Sequence, residues 1–320
     1  MAESKAAFED TMTVCVTIPT YQREGVLVET IRQVVAQDPP ADEVLVIDQS
    51  ADHERSTLVA LKAWQEEGKI RWIKHSPPNL PGARNRALIE AQSDIVIFID
   101  DDVVLTPGFV DVHRRCYGDS QVYLVAGQVL NKDRQVHSGA VQNYELRFPR
   151  NHDERTWIKA IWGGNHSVRR RFALELGGFD ERYFGGASRE ESDLAARAFE
   201  RTGRMVLFEP SASLVHLAES TGGCRAWGGY FHPLAAGWAV GDYYFALRNL
   251  RFQSMARHIV RRFLRSVLNR YCLHHPWAVL PIVVREAVSL VWGIVVSARS
   301  RKLISLTMHS RSIEEVAKRQ

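Results

Sequence analysis

Ser93–Asp102, SDIVIFIDDD, is the stretch that decides the fold: five apolar residues, Ile95 to Ile99, run directly into three carboxylates, Asp100, Asp101 and Asp102. An unbroken β-branched and aromatic run of this length suits a strand buried on both faces, as in the parallel sheets of α/β proteins. The carboxylates at its end repel one another, so holding them together costs free energy unless a cation offsets the repulsion. Carboxylate oxygens are the ligands that Mg2+ and Mn2+ prefer, which makes this strand end a predicted metal site. A solvated acidic turn or a helix cap is the alternative.

Outward from this strand the same rhythm repeats. Upstream, TVCVTI (13–18) reads as a buried strand stopped by Pro19, and apolar residues at helical spacing over 26–36 end at Asp38, Pro39 and Pro40. A strand over 43–47, a polar helix over 56–67, a strand over 70–74 and a helix over 83–91 follow. Strands alternating with helices imply an α/β fold, a mostly parallel sheet with helices on both faces. In such sheets ligands bind at the carboxyl ends of the strands, so the loops after Ile18, Ile47 and Ile99 are the candidate site. Beyond about residue 120 paired glycines punctuate shorter segments, which suggests a half built for loops and an acceptor surface.

Several motifs agree, in order, with one family. VTIPTYQRE (16–24), VLVIDQSAD (44–52), LPGARNRAL (80–88), SDIVIFIDDD and the segment from Trp162 to Ala198 (WGGNHSVRRR…REESDLAARA) resemble family 2 glycosyltransferases of the GT-A (Rossmann-like) fold. The resemblance covers about residues 13–250. It implies that Pro19, Thr20, Tyr21, Asp48 and Asp52 border the nucleoside, with Arg84 near the diphosphate. Asp100 and Asp102 are its Asp-x-Asp pair: Asp102 on the metal, Asp100 nearer the ribose, and Asp101 beside the nucleotide sugar. His216, in SASLVHLAES, matches a late histidine that completes the metal site; a packed or surface histidine is the other reading. Trp162, Gly163, Gly164 and Asn165 fall where relatives contact the donor sugar and acceptor.

The general base is the open assignment. The family places Glu-Asp before x-Asp-Leu; here the stretch is Glu190, Glu191, Ser192, Asp193, Leu194. Glu191 stands at the aspartate position, and glutamate can abstract the same proton although it is one methylene longer. Glu190 and Asp193, three apart on a helix, share a face and remain alternatives. Acidic residues also favour helix N-termini, so some of these carboxylates could serve only the helix. The resemblance implies an inverting transfer from a nucleotide-diphospho-sugar to a saccharide or lipid-linked acceptor, with Mn2+ or Mg2+ as cofactor. A nucleotidyltransferase and a non-catalytic binding or scaffold protein are the competing classes; VTIPTYQRE lacks the glycines of a phosphate loop.

Composition sets the remaining bounds. At 320 residues and 45% hydrophobic content the chain can bury a large core, and a net charge of +4 offers no general attraction for nucleic acid. Cys15, Cys116, Cys224 and Cys272 show no zinc or redox spacing, which fits a reducing cytosol. We expect a flexible leader over 1–12 and a transferase domain over 13–226, its nucleotide half 13–120 and its acceptor half 121–226. A helical basic extension is expected over 227–320. Within it, SMARHIVRRFLRSVLNR (254–270) sets Met255, Ile259, Val260, Phe263, Leu264 and Val267 on one helical arc and Arg257, Arg261 and Arg265 on the other. Such a helix suits an anionic membrane surface or docks on its own domain. WAVLPIVVREAVSLVWGIVVSA (277–298) approaches spanning length, but Arg285 and Glu286 in its middle argue for peripheral attachment at the inner face of the cytoplasmic membrane.

Overall fold

The computed structural model describes residues 12–138, 148–227 and 236–305. Most of the expected leader, and the expected extension over 228–235 and 306–320, lie outside the described residues. Six elements come in the expected alternation: β1 (Val14–Thr20), α1 (Gly25–Val35), β2 (Glu43–Asp48), α2 (Arg55–Glu66), β3 (Arg71–Lys74) and α3 (Leu80–Glu90). Every residue of β1 and of β4 (Ile95–Ile99) is buried, as their apolar runs require of central strands.

The strand order is β3-β2-β1-β4-β8-β6-β9-β5, counting β5 (Val103–Leu105), β6 (Leu124–Leu130), β8 (Asn165–Arg169) and β9 (Val206–His216); β7 (Thr156–Ile158) pairs with β9. From β3 to β4 the strands are parallel, whereas β8 runs antiparallel to both β4 and β6. The sheet is therefore mixed: parallel where βαβ crossovers build it, antiparallel where the second half of the chain joins. Chain order reverses at β1, whose neighbours are β2 on one side and β4 on the other. That is the topological switch point, where a crevice opens beyond the carboxyl ends of the strands.

Alternation along the strands divides the core in two. Val14, Val16 and Ile18 face α1, α2 and α4 (Phe109–Cys116) through Leu27, Leu61 and Phe109. Cys15, Leu45 and Phe98 face α3, α5 (Arg170–Glu175) and α6 (Glu190–Thr202) through Ala87, Leu174 and Leu194. A fully buried histidine, His113 of α4, sits under the sheet with Nδ1 2.9 Å from Ser167 Oγ and Nε2 3.1 Å from Asn165 Oδ1. Burial lowers its pKa to about 4. Since an unfolded histidine titrates near 6.5, this residue's contribution to stability is intact above about pH 6.5 and is lost as pH falls toward 4. It should remove about 2 kcal/mol of unfolding free energy between pH 7 and pH 5. Denaturant unfolding at the two pH values checks this: His113→Gln should flatten the dependence by that amount.

Beyond β9, a 3-10 turn (Gly223–Trp227) precedes four helices, α7 (Ala236–Asn249), α8 (Phe252–Val267), α9 (Arg270–His274) and α10 (Val279–Ser297). Helix α7 packs on α6, and α10 packs across α7, where Gly293 allows close approach to Tyr243 and Tyr244.

Candidate active site

A cleft of about 380 Å3 lies at the switch point, lined from four directions. The end of β1 supplies Pro19, Thr20 and Tyr21, and the end of β4 supplies Asp100, Asp101 and Asp102. The turn before β8 supplies Trp162, Gly163 and Gly164, and the start of α6 supplies Glu190 and Glu191.

Strand pairing explains how His216 arrives. The chain after the aspartates turns at once into β5, whose Val103 pairs with His216 at the end of β9. The imidazole Nε2 is thereby 3.3 Å from Asp102 Oδ1 and 3.7 Å from Asp100 Oδ2. Candidate ligand atoms of Asp100, Asp102 and His216 all lie within 4.8 Å of one another. Ligands about 2.1 Å from a common ion sit roughly 3 to 4 Å apart, so small adjustments would complete coordination. Two carboxylates and an imidazole fit Mn2+ or Mg2+ in chemistry as well as spacing.

Asp102 is buried and its pKa is lowered: burial alone would raise it, but His216, the Glu219 amide (2.9 Å) and Arg23 outweigh that. Asp100 and Asp101 are both raised by burial, Asp101 to about 7. Burial would lower His216, yet Asp102 and Asp100 raise it. Asp101 turns away from the metal cluster, accepting from Thr20 Oγ1 at 2.7 Å and pairing with Arg23 Nε at 3.2 Å. It joins β1 to β4 as much as it faces the cleft.

The paired glycines have a specific steric role. A Cβ on Gly164 would run into the Asp100 carboxylate, and one on Gly163 would lie 2.6 Å from Arg84 Nη2. These positions make room for the site's own side chains, not only for a ligand. Gly164→Ala should displace Asp100 and weaken Mn2+ binding by roughly 10- to 100-fold, the range for groups that orient metal ligands. Calorimetric Mn2+ titration measures this, with an unchanged unfolding midpoint as control.

Arg84 projects from α3, whose N-cap Asn79 accepts from Gly82 N at 2.8 Å. Its guanidinium is buried, pairs with Glu190 and donates to Gly163 O at 2.9 Å. Burial lowers its pKa. Its Nε is buried without a hydrogen-bond partner among the described residues, while Arg84 as a residue lines the cleft. Glu190 is thus engaged by Arg84, while Glu191 lines the cleft with its pKa raised by burial, an effect that Arg84 opposes without cancelling.

Four sequence candidates lie elsewhere. Asp193 is locked in place by Arg197 (2.7 Å), Arg301 (3.1 Å) and Asn249 (3.0 Å), because two residues past Glu191, roughly 200° round the helix, it is turned toward the C-terminal helices. Asn165 is wholly buried, donating to Gln128 O and Ala212 O and accepting His113. Its alternation in β8 points it into the core, away from the cleft. Asp48 is buried behind the wall, bonded to His53, Lys74, Trp72 and the Ser50 amide, and its pKa is lowered by these donors against burial. Asp52 is exposed and outside the lining.

Residues the sequence did not single out take their places. Gln49, next to Asp48, lines the cleft and fixes its rim by accepting the Asn79 amide at 2.7 Å. Arg23 reaches Asp102 Oδ2 at 3.4 Å and also the Thr221 carbonyl, tying the segment that leads into the 3-10 turn to the aspartates. Phe184, Ser188 and Cys224 complete the rim. Arg23, Gln49 and Phe184 all lie inside the motif segments quoted above, but nothing in their residue type marked them out from their neighbours.

Comparison with known proteins now adds to the geometry. The family model described as glycosyl transferase family 2 matches residues 15–177, half of the chain. This chain belongs to glycosyl transferase family 2. The matched stretch includes the aspartates and Arg84 but ends before Glu191 and His216, whose placement in this family 2 chain rests on the geometry above. The chain is 38% identical over 95 residues to the succinoglycan biosynthesis protein ExoW of Rhizobium meliloti (strain 1021), covering 29% of this chain and 30% of that protein's length.

Solved structures share the fold at low identity. A mannosyltransferase, PcManGT from Pyrobaculum calidifontis in complex with GDP-Man and Mn2+, aligns over 87% of this family 2 chain and 75% of its own, with TM-score 0.56 and 19% identity. TarS 1-349 of S. aureus in complex with UDP-GlcNAc aligns over 82% and 76%, with TM-score 0.58 and 17% identity. The mixed α/β sheet with its helices is the GT-A fold.

Proposed function

We propose that this family 2 protein is an inverting glycosyltransferase moving a sugar from a nucleotide-diphospho-sugar to an acceptor hydroxyl in polysaccharide or glycolipid assembly. The observation that carries the reading is one cleft holding the Asp100, Asp102 and His216 cluster on one wall and Glu191 on another. The resemblance to ExoW, and the nucleotide sugars bound in PcManGT and TarS, support it.

Pro19, Thr20, Tyr21 and Gln49 border the nucleoside, and Arg84 lies near the diphosphate. Asp100, Asp102 and His216 would hold Mn2+ or Mg2+. Bound there, the ion would supply positive charge to offset that developing on the leaving diphosphate. Glu191 removes the acceptor's hydroxyl proton as the acceptor oxygen bonds to the anomeric carbon and the carbon–oxygen bond to phosphate breaks. The proton ends on Glu191, and one displacement by one base inverts the anomeric centre. Trp162, Gly163 and Gly164 shape the donor-sugar end of the cleft.

We assign the transferase unit to residues 13–226 and a C-terminal extension to 227–320. The acceptor belongs to the saccharide or lipid-linked class, and the protein to the cytoplasmic side of a membrane. Calorimetric titration with GDP and UDP, with and without Mn2+, tests the proposal. Mn2+-dependent binding of one nucleotide supports it; binding of neither would turn the reading to a scaffold.

A further inference from the structure

Helices α8 and α10 bury charged and polar side chains beside a small apolar cluster (Cys272, Ala278 and Ile282) and leave many of their large apolar residues exposed. A helix docked on a soluble domain turns its apolar stripe to the core and leaves charge in water. In α8 the inward positions are His258, Arg262 and Ser266: Arg262 pairs with Asp242 and, at 3.2 Å, with Glu286, while Ser266 Oγ donates to Glu286 at 3.0 Å. In α10 the buried residues are Ile282, Glu286, Ser289 and Gly293. The opposite faces show Val260, Leu264 and Leu268 of α8 and its C-cap, and Val284, Val291 and Trp292 of α10, all more than 40% exposed. Large exposed apolar side chains gathered on two helices that pack together mark a candidate interaction face.

Charge identifies what covers it. Over residues 236–305 the only carboxylates are Asp242 and Glu286, and both are buried in the ion network. Arg251, Arg257, Arg261, Arg265, Arg270 and Arg299 are exposed, so the exposed charge contributed by residues 236–305 is wholly positive. A second copy would bring like charges together, whereas an anionic lipid surface complements both the rim and the apolar centre. The segment Pro276–Ser297 is long and apolar enough to cross a membrane, with mean hydropathy 2.0. Spanning would pull Glu286 from Arg262 and Tyr243, its partner at 2.7 Å, and leave buried charge unpaired. Lying flat keeps the network whole.

We propose that α8, α9 and α10 form a platform that inserts into the interface of an anionic phospholipid bilayer and holds the cleft at the membrane surface. The face continues to the cleft: Phe184, on the rim, packs against Trp292 with ring centroids 5.8 Å apart. Platform and active loop are also joined, since Arg189 pairs with Asp242 at 2.8 Å and Gly241 admits the Ser188 carbonyl where no side chain would fit. The proposal rests on the transferase reading only in placing the cleft toward membrane-held acceptors.

The test uses the full chain, free of detergent, with vesicles of phosphatidylcholine alone or mixed with phosphatidylglycerol. The protein should pellet with the mixed vesicles in a salt-sensitive way, and Trp292 fluorescence, read as the difference from Trp292→Phe, should be quenched by bromine-labelled chains. Val284→Asp with Val291→Asp should weaken binding at least about tenfold. Arg257→Gln, Arg261→Gln and Arg265→Gln should each cost about fivefold. Mn2+-dependent nucleotide binding should survive in all of them, which reports folding and separates this inference from the transferase proposal. Wild type remaining in the supernatant, valine variants that pellet like wild type, or a dimer in sedimentation velocity that those variants dissolve would each overturn it.

Discussion

Asp102→Asn is expected to reduce sugar transfer by about a thousandfold or more and to abolish the Mn2+ dependence of nucleotide binding. The carboxylate is held ionised by His216, the Glu219 amide and Arg23 despite its burial, so it is poised as a ligand throughout the neutral range. Asparagine keeps the shape and one acceptor oxygen but removes the charge, leaving Asp100 and His216 to bind a cation alone. Stabilisation of a leaving diphosphate by a bound divalent ion is worth several kcal/mol, which sets the size of the loss. The fold should persist, because the amide oxygen can still accept from Glu219 N. Steady-state transfer and calorimetry with and without Mn2+ measure both effects. Undiminished metal-dependent binding would move the metal away from Asp102.

Glu191→Gln should show the complementary pattern: nucleotide affinity within about threefold of wild type, and kcat lower by roughly 10²- to 10⁴-fold, the usual worth of a general base. Burial raises the Glu191 pKa, so its folded value exceeds the ordinary value near 4.3. The group is a base only when deprotonated. Activity should therefore fall as pH drops through the raised pKa, on an acidic limb above that of a free glutamate. That limb should vanish in Glu191→Gln and reappear, with weaker activity, in Glu191→Asp. A limb that persists unchanged in the glutamine variant would assign the base elsewhere. Glu190 is the next carboxylate on the cleft, already engaged by Arg84.

The sequence predicted the parallel half of the sheet to within a few residues, because its central strands are unbroken apolar runs and the helices between them carry apolar periodicity. Local pattern fails where partners are distant. His216 could be suspected from its position after an apolar segment, yet only the antiparallel pairing of β5 with β9 brings it beside Asp102 across more than a hundred residues. Asp193 shows the reverse: its spacing from Glu190 suggested a shared role, but the helices beyond residue 236 supply Asn249 and claim its face, along with Arg301. Asn165 sits within a family motif and is spent on the core, and Gln49 reached the cleft where Asp48 had been expected.

By itself, then, the sequence determined the α/β class, and it singled out the strand ends and the aspartates as candidate ligands, since these follow from polarity and period along contiguous residues. Tertiary structure alone decided which carboxylates face the cleft, that Gly164 is needed to seat Asp100, and that α8 turns its arginine and serine inward and its leucines outward. The physical reason is that side-chain direction on a helix is settled by the network it packs against: the buried Asp242 and Glu286 outweigh the apolar stripe for the inner face.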